Sequence, residues 1–325
     1  MRGSGLLLHI TSLPGSPLVG DLGPAAHQFL EVLRDAGQRY WQVLPISPTA
    51  PEHDNSPYSG LSAFAGSPLM VSPQLLAAEG LLTKEELASL PQGRPDRVDY
   101  QLAYLHRLRL LRLAYSRFRP TGDFDRFLDR NRWWLDDYAM YVALREHFNG
   151  ADWGSWPEPL RRRDRRELEA WAQRLRDRVG LELFIQYEFF SQWSSLRAHA
   201  RRLGVRLIGD VPIYVSYDSS DVWSNPSIFK LGRDLRPTYV SGVPPDYFSR
   251  TGQLWNTPVY NWDALRRDRY RWWVLRMRHA SELFDAVRLD HFRGFAAYWE
   301  VPAGERTAVR GRWSKGPGED LFRAV

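Results

Sequence analysis

The stretch DAVRLDHFRGF, residues 285–295, ends an apolar, strand-like run on an Arg-x-Asp pair. Side chains two positions apart on a strand share one face, so Arg288 and Asp290 are neighbours whatever the register. At the carboxyl end of a strand in a (β/α)8 barrel, a carboxylate with a guanidinium beside it is a place to hold charge during a reaction. Taken alone, the pair serves equally well as a structural ion pair. The sequence on either side decides between the two.

Outward from this stretch, Phe284 to Leu289, Val205 to Ile208, Tyr40 to Leu44 and Gly5 to Ile10 all read as short buried strands. Helical patterns alternate with them: Ala25 to Ala36, with Gly37 as C-cap, and Asp268 to Leu283. Such alternation predicts a parallel sheet wrapped by helices, an α/β fold. After Pro73 the character changes, with a capping box at Thr83 to Glu86 and leucines at helical spacing from Tyr100 to Phe118. Residues 73–203 are therefore expected to be an inserted helical subdomain, with barrel segments at 1–72 and 204–325. The Pro-, Gly- and aromatic-rich stretch GVPPDYFSRTGQLW, 242–255, reads as a loop. Asp210 and Asp290 each follow a strand-like run, and Tyr58 falls in the loop after the second strand. A closed barrel needs eight strands, and the sequence supplies about four.

Further segments stand in a fixed order: RGSGLLLHITSLPG (2–15), QRYWQVLPISPT (38–49), SPYSGLSAFAGSP (56–68), GVRLIGDVPIYVS (204–216), GVPPDYFSRTGQLW and DAVRLDHFRGF. Together they resemble the amylomaltases, the 4-alpha-glucanotransferases or disproportionating enzymes of glycoside hydrolase family 77 in the alpha-amylase clan. The resemblance covers nearly the whole chain and is weakest in the helical middle. It implies a (β/α)8 TIM barrel with a helical insertion, here truncated after about four strands. It also implies transfer of alpha-1,4-glucan segments between maltooligosaccharides by a retaining double displacement.

By the same resemblance Asp290 is the nucleophile and Arg288 its positioning partner, keeping it ionised. Asp210 hydrogen-bonds the donor sugar, Tyr58 stacks on the ring before the scissile bond, and Ser56 joins the substrate contacts. Tyr247, Phe248 and Trp255 offer aromatic faces to the apolar CH face of an acceptor sugar. His291 either touches a sugar hydroxyl or is a structural residue. Retaining chemistry uses two carboxyls about 5–5.5 Å apart. The second, an acid/base Glu, and a third carboxylate are expected beyond Val325, because Glu300, Glu305 and Glu319 lack the family's context. The chain is accordingly expected to be the N-terminal part of a longer enzyme and to lack useful activity alone. A second departure is Asn256-Thr257, where the family more often has Gly and another residue before Pro; Asn tolerates the left-handed backbone that Gly supplies.

Composition narrows the alternatives. The chain has 325 residues, 43% of them hydrophobic, which is ample for a buried core. It contains no cysteine, so disulfides, thiolate metal sites and a Cys nucleophile are excluded, and a reducing cytoplasm is the expected location. No apolar run is long enough to span a membrane. The net charge of +6 comes from arginines interleaved with acids, as in RRRDRRELEAW at 161–171, so nucleic acid is not the expected partner. Neither a cofactor nor a metal motif occurs. An alpha-glucan hydrolase and a non-catalytic glucan-binding fragment remain as alternatives, and the oligomeric state is open.

Overall fold

The computed structural model describes residues 3–94 and 96–325; Met1 and Arg2, the first residues of the segment 1–72, and Pro95 lie outside the described residues. The chain starts with strand β1 (Gly5–Leu7) and turns into helix α1 (Pro24–Asp35). Proline opens α1 at the position where a missing N–H costs nothing. Gly37, at φ +68°, closes it: the amides of Gly37 and Gln38 return to the carbonyls of Arg34 and Leu33 at 2.9 and 2.8 Å. This left-handed cap feeds β2 (Tyr40–Gln42) directly.

Helices fill the next stretch. They are α2 (Pro73–Ala78), α3 (Lys84–Ala88), α4 (Tyr100–Arg117), α5 (Gly122–His147), α6 (Glu158–Arg161), α7 (Arg165–Arg174) and α8 (Arg176–Arg202). Then come β3 (Arg206–Val211), α9 (Ser220–Ser224), β4 (Tyr239–Val243), β5 (Gln253–Pro258), α10 (Trp262–Arg267), α11 (Arg271–Leu283), β6 (Ala286–Leu289), β7 (Ala297–Pro302), β8 (Arg312–Lys315) and α12 (Glu319–Ala324).

Among the described residues the strands form two four-stranded sheets. The first has the order β1-β2-β3-β6 and is parallel throughout; its strands are the ones the apolar runs predicted. The second, β5-β4-β7-β8, is antiparallel and was not anticipated. The stretch 242–255, read from sequence as a loop, supplies the end of β4 and the start of β5. Its strand character is masked by Gly242, whose Cβ would meet the Gln253 carbonyl oxygen at 2.5 Å, so only glycine allows this close pairing. The β4–β5 register shifts between Val240 and Gly242, and Asn256 sits in the shifted part at φ 58°. The left-handed bend expected at Asn256 is therefore present.

Two large apolar clusters hold the molecule together. One joins the parallel sheet to α1, α4 and α8 through Leu30, Trp41, Leu110, Phe184, Phe189 and Leu207. The other is aromatic and packs Trp134 and Tyr138 of α5 against Trp223, Tyr260 and Trp273. Glu300 of β7 is fully buried yet bonded to Lys230 at 2.5 Å, Arg312 at 2.9 Å and Ser314 at 2.8 Å. Those donors compensate its desolvation and commit it to the second sheet. No helix among the described residues is long and apolar enough to cross a membrane.

Candidate active site

Adjacent parallel strands set the site. In the β3–β6 register Asp210 lies opposite Arg288, and the amide of Asp290 donates to the Val211 carbonyl at 3.0 Å. Both carboxylates thus stand at the carboxyl ends of neighbouring strands, and Arg288 lies between them. Its Nη1 donates to Asp210 Oδ2 at 2.6 Å and its Nη2 to Asp290 Oδ1 at 2.5 Å. One rigid guanidinium therefore fixes two carboxylates in a geometry that a flexible ammonium does not define. The Tyr58 hydroxyl donates to the same Asp210 oxygen at 2.8 Å, across 152 residues of sequence.

Exposure separates the two acids. The Asp210 side chain is 0% exposed and that of Asp290 is 31% exposed, so Asp290 is the carboxylate a ligand can reach. Burial raises the pKa of Asp210, opposed by the hydrogen bond from Tyr58 and the charge of Arg288. Burial, then the bond to Asp210, pushes the Tyr58 phenol up to about 12, so it stays a hydrogen-bond donor at neutral pH. For Arg288 burial works against the charge, but Asp210 and Asp290 together lift its pKa above the ordinary value.

The remaining sequence candidates are more scattered. Trp255 meets His291 edge-on, with ring centroids 4.8 Å apart. His291 adopts φ 49°, a left-handed conformation immediately after Asp290, and burial lowers its pKa. Ser56 shapes the turn before Tyr58: its Oγ accepts from the Tyr58 amide at 3.3 Å and its carbonyl from the Ser59 amide at 3.0 Å. Tyr247 and Phe248 are 97% and 93% exposed and pack edge-to-face on each other, so they line no cleft wall here. Sequence reasoning missed the buried polar residues Gln186, Asp221 and His279, which bind the backbone just after Tyr58.

A family model described as 4-alpha-glucanotransferase matches residues 8–325. The chain belongs to the 4-alpha-glucanotransferase family. The family's member from Aquifex aeolicus is 47% identical over all of this chain, which covers 66% of that protein. The 4-alpha-glucanotransferase of Thermus thermophilus is also 47% identical, with 100% of this chain and 65% of that one covered. Among solved structures, an amylomaltase from Streptococcus agalactiae in complex with acarbose superposes with a TM-score of 0.96 at 37% identity, over 100% of this chain and 66% of that one. The α/β fold is thus that of the amylomaltases, and the chain spans just under two thirds of these relatives' length.

Proposed function

We propose that this chain forms the donor side of a 4-alpha-glucanotransferase site that moves alpha-1,4-glucan segments between maltooligosaccharides. The observation that carries the reading is Arg288 bridging a buried Asp210 and an accessible Asp290 at the ends of adjacent parallel strands. In the first step an Asp290 oxygen attacks the anomeric carbon, the glycosidic C–O bond breaks, and the leaving oxygen takes a proton from a general acid. In the second, an acceptor hydroxyl attacks the same carbon and passes its proton to the conjugate base of that acid while the bond to Asp290 breaks, freeing Asp290 with retention. Arg288 keeps the Asp290 oxygen ionised and aimed. Asp210 is buried under Arg288 and Tyr58 and keeps one oxygen, Oδ1, without a partner among the described residues; that oxygen is proposed to hydrogen-bond the donor sugar, with Tyr58 as the wall beside the ring.

The acid is assigned to no residue of this chain; Glu300 is already committed to the second sheet. The four parallel strands are proposed to be barrel strands of a (β/α)8 fold, with 73–203 inserted between the second and third. Leu6 and Leu7 support this, since they stay 48% and 57% exposed on a parallel sheet, whose faces are normally covered on both sides. The relative crystallised with acarbose supports a maltooligosaccharide-like ligand. A cysteine-free chain suits the cytoplasm.

The test is Asp290→Asn in the natural protein carrying this chain, with maltotriose as donor and acceptor. Longer oligosaccharides should appear with the unsubstituted protein and vanish with the variant, while glucan binding persists, because the amide keeps size and polarity but cannot attack. Free glucose and maltose without longer products would favour the hydrolase reading. Wild-type-like transfer by the variant would remove Asp290 from the mechanism.

A further inference from the structure

Residues 61–66, which follow Tyr58, run as an irregular segment through the interior, with Leu61, Ser62, Phe64 and Ala65 all buried. Buried backbone outside helices and sheets must find partners elsewhere. Some are local or main-chain, such as the Leu61 amide on the Pro48 carbonyl at 2.9 Å, and three of the others are side chains from helices distant in sequence. Gln186 of α8, 0% exposed, accepts from the Gly66 amide at 2.8 Å and donates to the Gly66 carbonyl at 3.0 Å. Asp221 of α9, also buried, accepts from the Ala63 amide at 2.7 Å. His279 of α11 donates Nε2–H to the Phe64 carbonyl at 2.9 Å. The fit against α8 is close: a Cβ on Gly66 would lie 2.0 Å from Phe189 Cδ1.

The Phe64 and Ala65 amides are met locally, by Ser62 Oγ at 3.1 and 3.2 Å. Meeting the others with a buried carboxylate and carboxamide from distant helices costs desolvation, and it ties the segment to one defined backbone path. That path delivers Tyr58, three residues upstream of Leu61, to Asp210. We propose that Gln186 and Asp221 are positioning residues for the transfer reaction, acting through the 61–66 backbone to hold the Tyr58 hydroxyl on Asp210. The proposal rests on the functional reading above.

The experiment is a double-mutant cycle on maltotriose transfer by the natural protein carrying this chain, with amide hydrogen exchange as a second arm. Gln186→Leu and Asp221→Ala should each lower kcat about ten- to a hundredfold, the scale expected when a reacting group is displaced by about 1 Å. In a Tyr58→Phe background the same substitutions should cost little more, since their route runs through that hydroxyl. Asp221→Asn, whose amide oxygen still accepts from Ala63, should restore most of the rate. Equal losses in both backgrounds would mean a merely structural role and overturn the proposal. If the truncations do not fold, Gln186→Glu, which keeps the acceptor and loses the donor, enters the same cycle. In the unsubstituted protein the amides of Ala63 and Gly66 should exchange as slowly as those in the middle of α8. Fast exchange there alongside normal transfer would sink the clamp alone. Slow exchange with no transfer would sink the functional reading and, with it, the positioning role.

Discussion

Arg288 gives each terminal nitrogen to a different carboxylate, and this geometry is the most demanding feature of the site. Arg288→Lys keeps the charge but offers a single ammonium in place of a planar fork, so it should not hold both acids at once. Its expected effect is a loss of at least about tenfold in kcat for maltotriose transfer, read from initial rates; an unchanged kcat would show that the bridge is incidental. His279 supports a prediction of another kind. Burial lowers its pKa from 6.5 to about 4 in the folded protein. The unfolded chain therefore binds a proton that the native state refuses between those values. The stability this neutral histidine contributes is complete above about pH 6.5 and is lost as pH falls towards 4, by roughly 1.4 kcal/mol per pH unit. Urea unfolding of His279→Gln should show a shallower acid limb than the unsubstituted protein; an equal slope would mean that His279 is not the group responsible. Asp210, Arg288, Asp290 and Tyr58 were singled out by their strand-end and loop positions together with the family resemblance, although the Tyr58–Asp210 bond spans 152 residues. Gln186, Asp221 and His279 carried no such local signal, because each acts on backbone 120 or more residues away.

Among the elements, those stabilised by their own neighbours were the legible ones. The Thr83–Glu86 box forms as its spacing predicts: the Thr83 amide donates to Glu86 Oε2 at 2.8 Å, and the Glu86 amide to Thr83 Oγ1 at 3.2 Å. Helix α4 ends at Arg117, one residue before the predicted limit. The strands β4 and β5 were hidden because proline, glycine and a register shift interrupt their alternation, and because the second neighbour of β4 is the sequence-distant β7. Asn256 marks the critical bend. Asn256→Val places a β-branched side chain at φ 58° and should lower the unfolding free energy by about 1–2 kcal/mol, whereas Asn256→Gly should be close to neutral. The comparison is made from urea midpoints at constant m value. Equal stability of the two variants would show that the bend relaxes at no cost.

For the molecule as a whole, strand–helix alternation revealed the parallel sheet, and the order β1-β2-β3-β6 follows the order of the chain. The antiparallel sheet and the aromatic cluster beneath it were not legible, because both arise from contacts between segments with no shared periodicity. The parallel sheet is what brings Asp210 and Asp290 together, and the account stands on the role of the second. The most direct test is to trap the covalent intermediate: treat the natural protein carrying this chain with a slow 5-fluoroglucosyl fluoride, quench, digest, and map the adduct by mass spectrometry. One fluoroglucosyl group on the peptide containing Asp290, absent from the Asp290→Asn variant, is the predicted result. A label on Asp210 or another carboxylate, or steady turnover of the reagent without any covalent adduct, would contradict it.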